Sequence, residues 1–227
     1  MPSSLDSQDN ELRAIFFYGT LEQNWLGAIM SEIWKDQIYR PYLPLNKKGK
    51  IALDIGANIG LVSIYLSPYF ERIFALEPSK NHFDALSRNL QANKITNVTP
   101  INKALYIKEG KFPFGGPKDN LTMRSLHMAT WDKGKSDEEV EATTLEALFD
   151  KEKIDRVNLL KLDVEGSEVE ILSSPTFTKV TDKVDLIIGE RHAWSGRHTN
   201  QLVDALKNAG FSYEVIPNNA DLFVAKK

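Results

Sequence analysis

Asp163 and Glu165 stand two positions apart where an apolar run ends, in "LLKLDVEG", and Glu190 and His192 repeat that spacing in "LIIGERH". Alternate residues of a strand point to one face, so each pair can bring its two groups into one crevice. Two chemistries suit the set. An imidazole titrates near neutral pH, so His192 is the candidate general base, with Asp163, Glu165 and Glu190 beside it. Carboxylates and imidazole also suit magnesium or manganese. No ligand spacing in the sequence supports a metal, and none is assigned. Glu165 has a second reading, as the cap of a helix over "SEVEIL".

A further group lies upstream. In "IALDIGANIG", Asp54 precedes a turn made of Gly56, Ala57, Asn58 and Gly60. Glycine turns after a strand usually cradle a pyrophosphate, in the pattern G-x-G-x-x-G. Here Asn58 replaces the middle glycine, and Asp54 would repel a phosphate. A ligand with a cationic end and no phosphate answers both objections. S-adenosylmethionine is such a ligand. Its carboxylate is expected on the amides of the turn, and Asp54 beside its cationic portion. Glu77 follows Gly56 by 21 positions, close to the spacing at which an acid reaches ribose hydroxyls. Asn102 and Ala104, where a third strand ends, and Asp163 complete the expected cofactor wall.

These residues need a frame that brings them together. Apolar runs ending at Asp54, Glu77, Asn102, Asp163 and Glu190 read as strands. Helical patterns separate most of them, with Phe83, Leu86 and Leu90 on one face of a helix that Ser79 would cap. Alternating strands and helices predict an open, doubly wound, mostly parallel α/β sheet. The closing stretches "FSYEVIP" and "DLFVAKK" read as a β pair with one antiparallel edge strand. In such sheets ligands bind beyond the carboxyl ends of the strands, where all the candidate residues fall. Residues 1–45 read as an N-terminal helical extension and 46–227 as one domain. The rhythm fails at 106–136, rich in Gly, Pro and Lys, which reads as an insertion of loops or hairpins. With Lys103, Lys108, Lys111, Lys118, Arg124 and His127 in or near it, that insertion is expected to act as a lid over the acceptor.

The stretches "DIGANIGLVSIYLS" (54–67), "IFALEPSKNHFDALSRNL" (73–90), "TTLEALF" (143–149), "LLKLDVEGSEVEIL" (159–172) and "LFVAKK" keep their order along the chain. Together they resemble the FkbM-type S-adenosylmethionine-dependent methyltransferases. The resemblance covers roughly residues 50–227 and rests most on "DIGANIG" with "LKLDVEG". It implies a class I methyltransferase fold, Rossmann-like, with a seven-stranded sheet whose last strand is antiparallel. It also implies O-methylation of a hydroxyl on a small molecule, a sugar or a natural product.

Rival readings are weaker. A base-modifying nucleic-acid methyltransferase would carry an Asn/Asp-Pro-Pro-aromatic turn where this chain has "DVEG". The net charge of −3 supplies no broad basic field for a phosphate backbone. A non-catalytic binding module retaining the fold is the other alternative. With no cysteine, disulfides and thiolate metal sites are excluded. The polar N-terminus and the lack of an 18-residue apolar run predict a cytoplasmic protein without a membrane span. The N-terminal aromatic helices could serve as a second wall or as a homo-oligomer surface.

Overall fold

A computed structural model describes residues 23–116, 124–126, 136–192, 195, 199–216, 219 and 221–227. His127, Lys118 and most of the expected lid lie outside the described residues. The strands are β1 (Gly49–Ile55), β2 (Phe70–Leu76), β3 (Val98–Ile101), β4 (Ala104–Leu105), β5 (Gly110–Gly115), β6 (Ser136–Thr143), β7 (Leu159–Leu162), β8 (Leu186–Glu190), β9 (Glu214–Val215) and β10 (Leu222–Lys226). The helices are α1 (Gln23–Met30), α2 (Leu61–Leu66), α3 (Lys80–Ala92), α4 (Leu145–Glu152), α5 (Glu168–Leu172), α6 (Pro175–Thr178) and α7 (Thr199–Asn208).

Seven strands form the main sheet in the order β3-β2-β1-β7-β8-β10-β9. The strands from β3 to β8 pair in parallel, and β10 runs antiparallel to β8. The expected antiparallel last strand is therefore present. Both faces are covered, which is why the strands read as continuous apolar runs. Along β1, Leu53 and Ile55 face α4 to α7, while Ala52 faces α2 and α3. On β2, Phe74 and Leu76 take the first side, and Ile73 and Ala75 the second. Parity therefore sends Asp54 and its register partner Lys161 to the α2 side, among apolar neighbours.

The described part of the N-terminal segment packs on the main sheet. Helix α1 runs into a π turn at Ser31–Lys35. Ile33, Tyr39 and Leu43 join the α2 side of the main core, and Trp34 meets Tyr65 edge-on at 5.6 Å.

The insertion, expected as loops or hairpins, contains among its described residues an antiparallel pair, β5 with β6. A second sheet, ordered β4-β6-β5, closes over Ala104, Phe114, Leu126, Val140 and Ala142. Pro113 lies within β5, an edge strand, where a missing N–H is tolerated. Ser79 holds the N-cap position of α3, but its side chain makes no capping hydrogen bond.

Strand order reverses between β2-β1 and β7-β8, and there the glycine turn meets the β7 turn closely. Gly56 has φ +75°, and a Cβ on it would lie 1.8 Å from the Asp163 carbonyl oxygen. Gly56→Ala is therefore expected to cost about 3 kcal/mol in urea denaturation, through steric conflict and strain. Gly27→Ala, whose added Cβ meets nothing within 4 Å, should be neutral or slightly stabilising in the same assay.

Candidate active site

A cavity of about 740 Å³ opens at this reversal point, within the usual range for a small-molecule site. Gly56, Ala57, Asn58, Glu77 and Ala104 line one part of it. Asp163, Glu165, Glu190 and His192 line another. The structure thus brings most of the sequence-derived candidates into one space. Three stand apart from the lining: Asp54, Gly60 and Asn102.

Their placements have clear causes. Asp54 is fully buried beneath the turn, where Ser63 Oγ donates to its Oδ2 at 2.6 Å and Lys161 Nζ lies 3.5 Å from its Oδ1. It does not face the ligand space as expected. Gly60 has φ +91° and packs against Leu86, so it shapes the entry to α2. Asn102 donates from Nδ2 to the carbonyls of Glu77 and Pro78, both at 2.8 Å, and braces the β2 exit.

The amides of the turn are engaged within the protein. Gly56 and Ala57 donate to Leu76 O, at 3.0 and 2.9 Å. Asn58 N donates to Glu77 Oε2 at 2.8 Å, and Ser79 N to Glu77 Oε1 at 2.9 Å. The amides of Gly56, Ala57 and Asn58, expected on a ligand carboxylate, are thus already engaged within the protein. Glu77 instead clips the glycine turn to the start of α3. Each of its oxygens keeps a second lone pair for a hydroxyl donor.

Lys161 is a residue that sequence reasoning missed. Its ammonium is buried at the centre of the switch point. It donates to Gly56 O at 2.8 Å and lies 3.2 Å from Asp163 Oδ2, besides reaching Asp54. Burial alone would lower its pKa, but Asp163 and Asp54 more than reverse this and hold it above the usual lysine range.

His192 was expected as a base, and its surroundings argue for the opposite charge state. Its Nδ1 lies 2.8 Å from Glu168 Oε1, and its Nε2 lies 3.2 Å from Glu165 Oε2 and 3.7 Å from Asp163 Oδ1. Burial pulls the ring's pKa down, yet the hydrogen bond and charge of Glu168, with Glu165 and Asp163, push it up to about 10. A ring that already holds its proton at neutral pH cannot accept another. Burial, reinforced by neighbouring acids, raises Glu165 to about 8 and Glu190 to about 7. Glu168, also missed from the sequence, accepts from the amides of Val164 and Gly166 at 3.1 Å. The reading of Glu165 as a helix cap is not what the contacts show; those amide contacts belong to Glu168, while Glu165 has φ +52° and turns toward His192.

The remaining walls come from outside the main sheet. The N-terminal segment contributes Leu26, Ile29, Glu32 and Tyr39; the second sheet contributes Phe114, and Arg124 and Leu126 follow it. The cations of the described lining are matched by acids: Lys103 with Glu141 and Arg124 with Glu138, each at 3.2 Å, and Lys161 as above. Acidic side chains are left in excess, and a cationic ligand beside them favours their charged form. Asn58 Oδ1 adds a buried acceptor without a hydrogen-bond partner. The residues therefore fit S-adenosylmethionine, with its ammonium, sulfonium and ribose hydroxyls.

Residues 54–213 match the methyltransferase FkbM domain. The chain belongs to that family. It is an S-adenosylmethionine-dependent methyltransferase. It is 25% identical over 199 residues to the hexuronic acid methyltransferase AglP of Haloferax volcanii, covering 85% of this chain and 79% of that protein. Methyltransferase sdnD of Sordaria araneosa is 31% identical over 175 residues, 63% of this chain and 66% of that one. Among solved structures, the precorrin-6y C5,15-methyltransferase of Geobacter metallireducens superposes with a TM-score of 0.51 at 16% identity, over 84% of this chain and 86% of that one. An S-adenosylmethionine-dependent methyltransferase of Aquifex aeolicus gives 0.51 at 10% identity, over 90% and 97%. Those two likenesses speak for the fold. In the described residues, no helix of this family member is long and apolar enough to cross a membrane.

Replacing Lys161 by Met should strand Asp54 and Asp163 without their shared cation. Removing one member of a buried ion pair costs about 3–5 kcal/mol, and denaturation of Lys161→Met should show a loss of that order. Adding Asp54→Asn to Lys161→Met should recover part of it. A simple sum of two losses would mean that the groups do not interact.

Proposed function

We propose that the chain transfers a methyl group to a hydroxyl oxygen of a small molecule, a sugar or a natural product. One observation carries the reading: the clipped glycine turn and the acid–histidine cluster open into one cavity with apolar walls. The bound cofactor supplies an electrophilic methyl group. The chain's residues must hold the cofactor, orient the acceptor and manage the acceptor's proton. Glu77 is placed to accept from ribose hydroxyls, and Asn58 Oδ1 from a cationic or hydroxyl donor. Asp163 favours the cofactor's positive charge, and Glu165 and Glu190 ionise more readily once that charge is bound beside them. Leu26, Ile29, Phe114 and Leu126 give the acceptor an apolar wall. The acid-matched cations of the lining leave little for a nucleic-acid backbone, and the name of AglP, a hexuronic acid methyltransferase, points the same way. We place this activity in the cytoplasm, where the cofactor is made.

A labelled-methyl assay against pooled glycosides, polyketide alcohols and RNA tests this reading. Label should enter a glycoside or alcohol; label confined to RNA would overturn it. Glu77→Gln keeps the side chain's shape but removes its charge. Losing a charge-assisted bond to ribose should weaken S-adenosylmethionine binding by about 1.5–3 kcal/mol in calorimetry. An unchanged dissociation constant would remove Glu77 from the cofactor site.

A further inference from the structure

We propose that Asp163, Glu165 and His192 bind one divalent cation of the magnesium–manganese class on the cavity wall. A carboxylate oxygen from each acid and a ring nitrogen of His192 all lie within 4.8 Å of one another. Ligands bonded to one ion at about 2.0–2.6 Å stand at most roughly 4–5 Å apart, so one ion reaches all three with little movement. The acids follow β7 and the histidine follows β8, and these neighbouring parallel strands fix the ligands relative to each other. Glu190 Oε1, 3.8 Å from Nε2, adds a further oxygen at the edge of the site.

The other side of the imidazole supplies an independent argument. Glu168, which is outside the trio, takes Nδ1 at 2.8 Å and is itself held by the amides of Val164 and Gly166. With Nδ1 donating to Glu168, Nε2 is the ring atom turned toward Asp163 and Glu165. In the ion-free protein the Nε2 proton stands between them, and a bound cation takes that proton's place. A histidine backed by a carboxylate in this way is the usual support of a metal-ligating ring. Two carboxylates, one imidazole and no thiolate select magnesium or manganese over softer ions.

The role of the cation rests on the O-methylation reading, while the site itself does not. A divalent ion beside an alcohol lowers that alcohol's pKa, which methylation of a neutral hydroxyl requires. It would also relieve His192 of acting as a base.

The test titrates chelator-treated full chain with manganese chloride, without cofactor or acceptor, and follows the electron paramagnetic resonance signal of free manganese. One ion should bind per chain and be displaced by excess magnesium. Glu165→Gln should weaken binding by at least about tenfold, and Glu168→Gln by about 10–100-fold through the ring it orients. Glu146→Gln, a surface residue paired with Lys179, should leave binding unchanged. Near-ultraviolet circular dichroism verifies that each variant is folded. The proposal is overturned if wild type binds no manganese at roughly 1 mM, or if folded Glu165→Gln binds it as well as wild type does. Failure of the acceptor reading shows separately, as label in RNA rather than in an alcohol.

Discussion

A single buried ammonium fixes the geometry of the switch point. Lys161 lies between the end of β1, through Asp54 and the Gly56 carbonyl, and the end of β7, through Asp163. Burying Lys161 and Asp54 on an otherwise apolar face is expensive, and hydrogen bonds offset part of that cost. Ser63 Oγ serves Asp54 Oδ2 and the Gly56 carbonyl serves Lys161, while Asp54 Oδ1 has no hydrogen-bond partner and is held by the charge of the ammonium at 3.5 Å. The ammonium can reach these groups only because Gly56 has no side chain, so that the turn lies directly on the Asp163 carbonyl. Once the turn is seated, Glu77 can clip it to α3. The cofactor half of the cavity therefore inherits its shape from the contact of the turn with Lys161 and Asp163.

The same ammonium divides the acids by depth. Asp54 is fully buried and matched, and Asp163 is matched on one side only. Glu165 and Glu190 line the cavity, and burial with the charge of neighbouring acids raises their carboxyls. They hold protons near neutral pH and give them up when a cation arrives beside them. In a partly enclosed cavity that coupling is little screened, so each acid responds strongly to the cation.

Much of this was legible in the sequence, and the failures have physical explanations. The repeated two-residue spacing of Asp163 with Glu165 and of Glu190 with His192 did converge on one space, because adjacent parallel strands end together. Asp54 was misread although parity with Ala52 carried the answer: it faces α2, away from the crevice. Lys161 was passed over inside an apolar run; a lysine flanked by leucines and two positions before Asp163, hence on the same strand face, is the signal that marks it. Glu168 was hidden because an acid at a helix start has an ordinary explanation in capping. Its actual partners are the preceding turn and His192, which only the fold brings near. A hairpin was among the expectations for this segment, but the pairing of β4 with it escaped notice, because Pro113 and the glycines around it obscure the alternation of Phe112 and Phe114.

Charge flow during methyl transfer constrains what the surface acids do. A sulfonium is cationic before reaction, and its positive charge disperses as the methyl group leaves. Carboxylates beside it therefore stabilise the starting state more than the transition state, and they help binding rather than rate. Rate must come from the acceptor, whose oxygen gains reactivity as its proton departs. A histidine flanked by Glu165, Asp163 and Glu168 is poorly suited to take that proton, since every neighbour favours its charged form. The same carboxylates that bar it from acting as a base make the locus attractive to a cation. That cation has to be matched to the acceptor rather than to the cofactor, and the walls around it come from the N-terminal segment and the second sheet. Those segments can change between relatives without disturbing the buried ammonium or the turn that rests on it, so acceptor choice is free to vary while the cofactor half stays fixed.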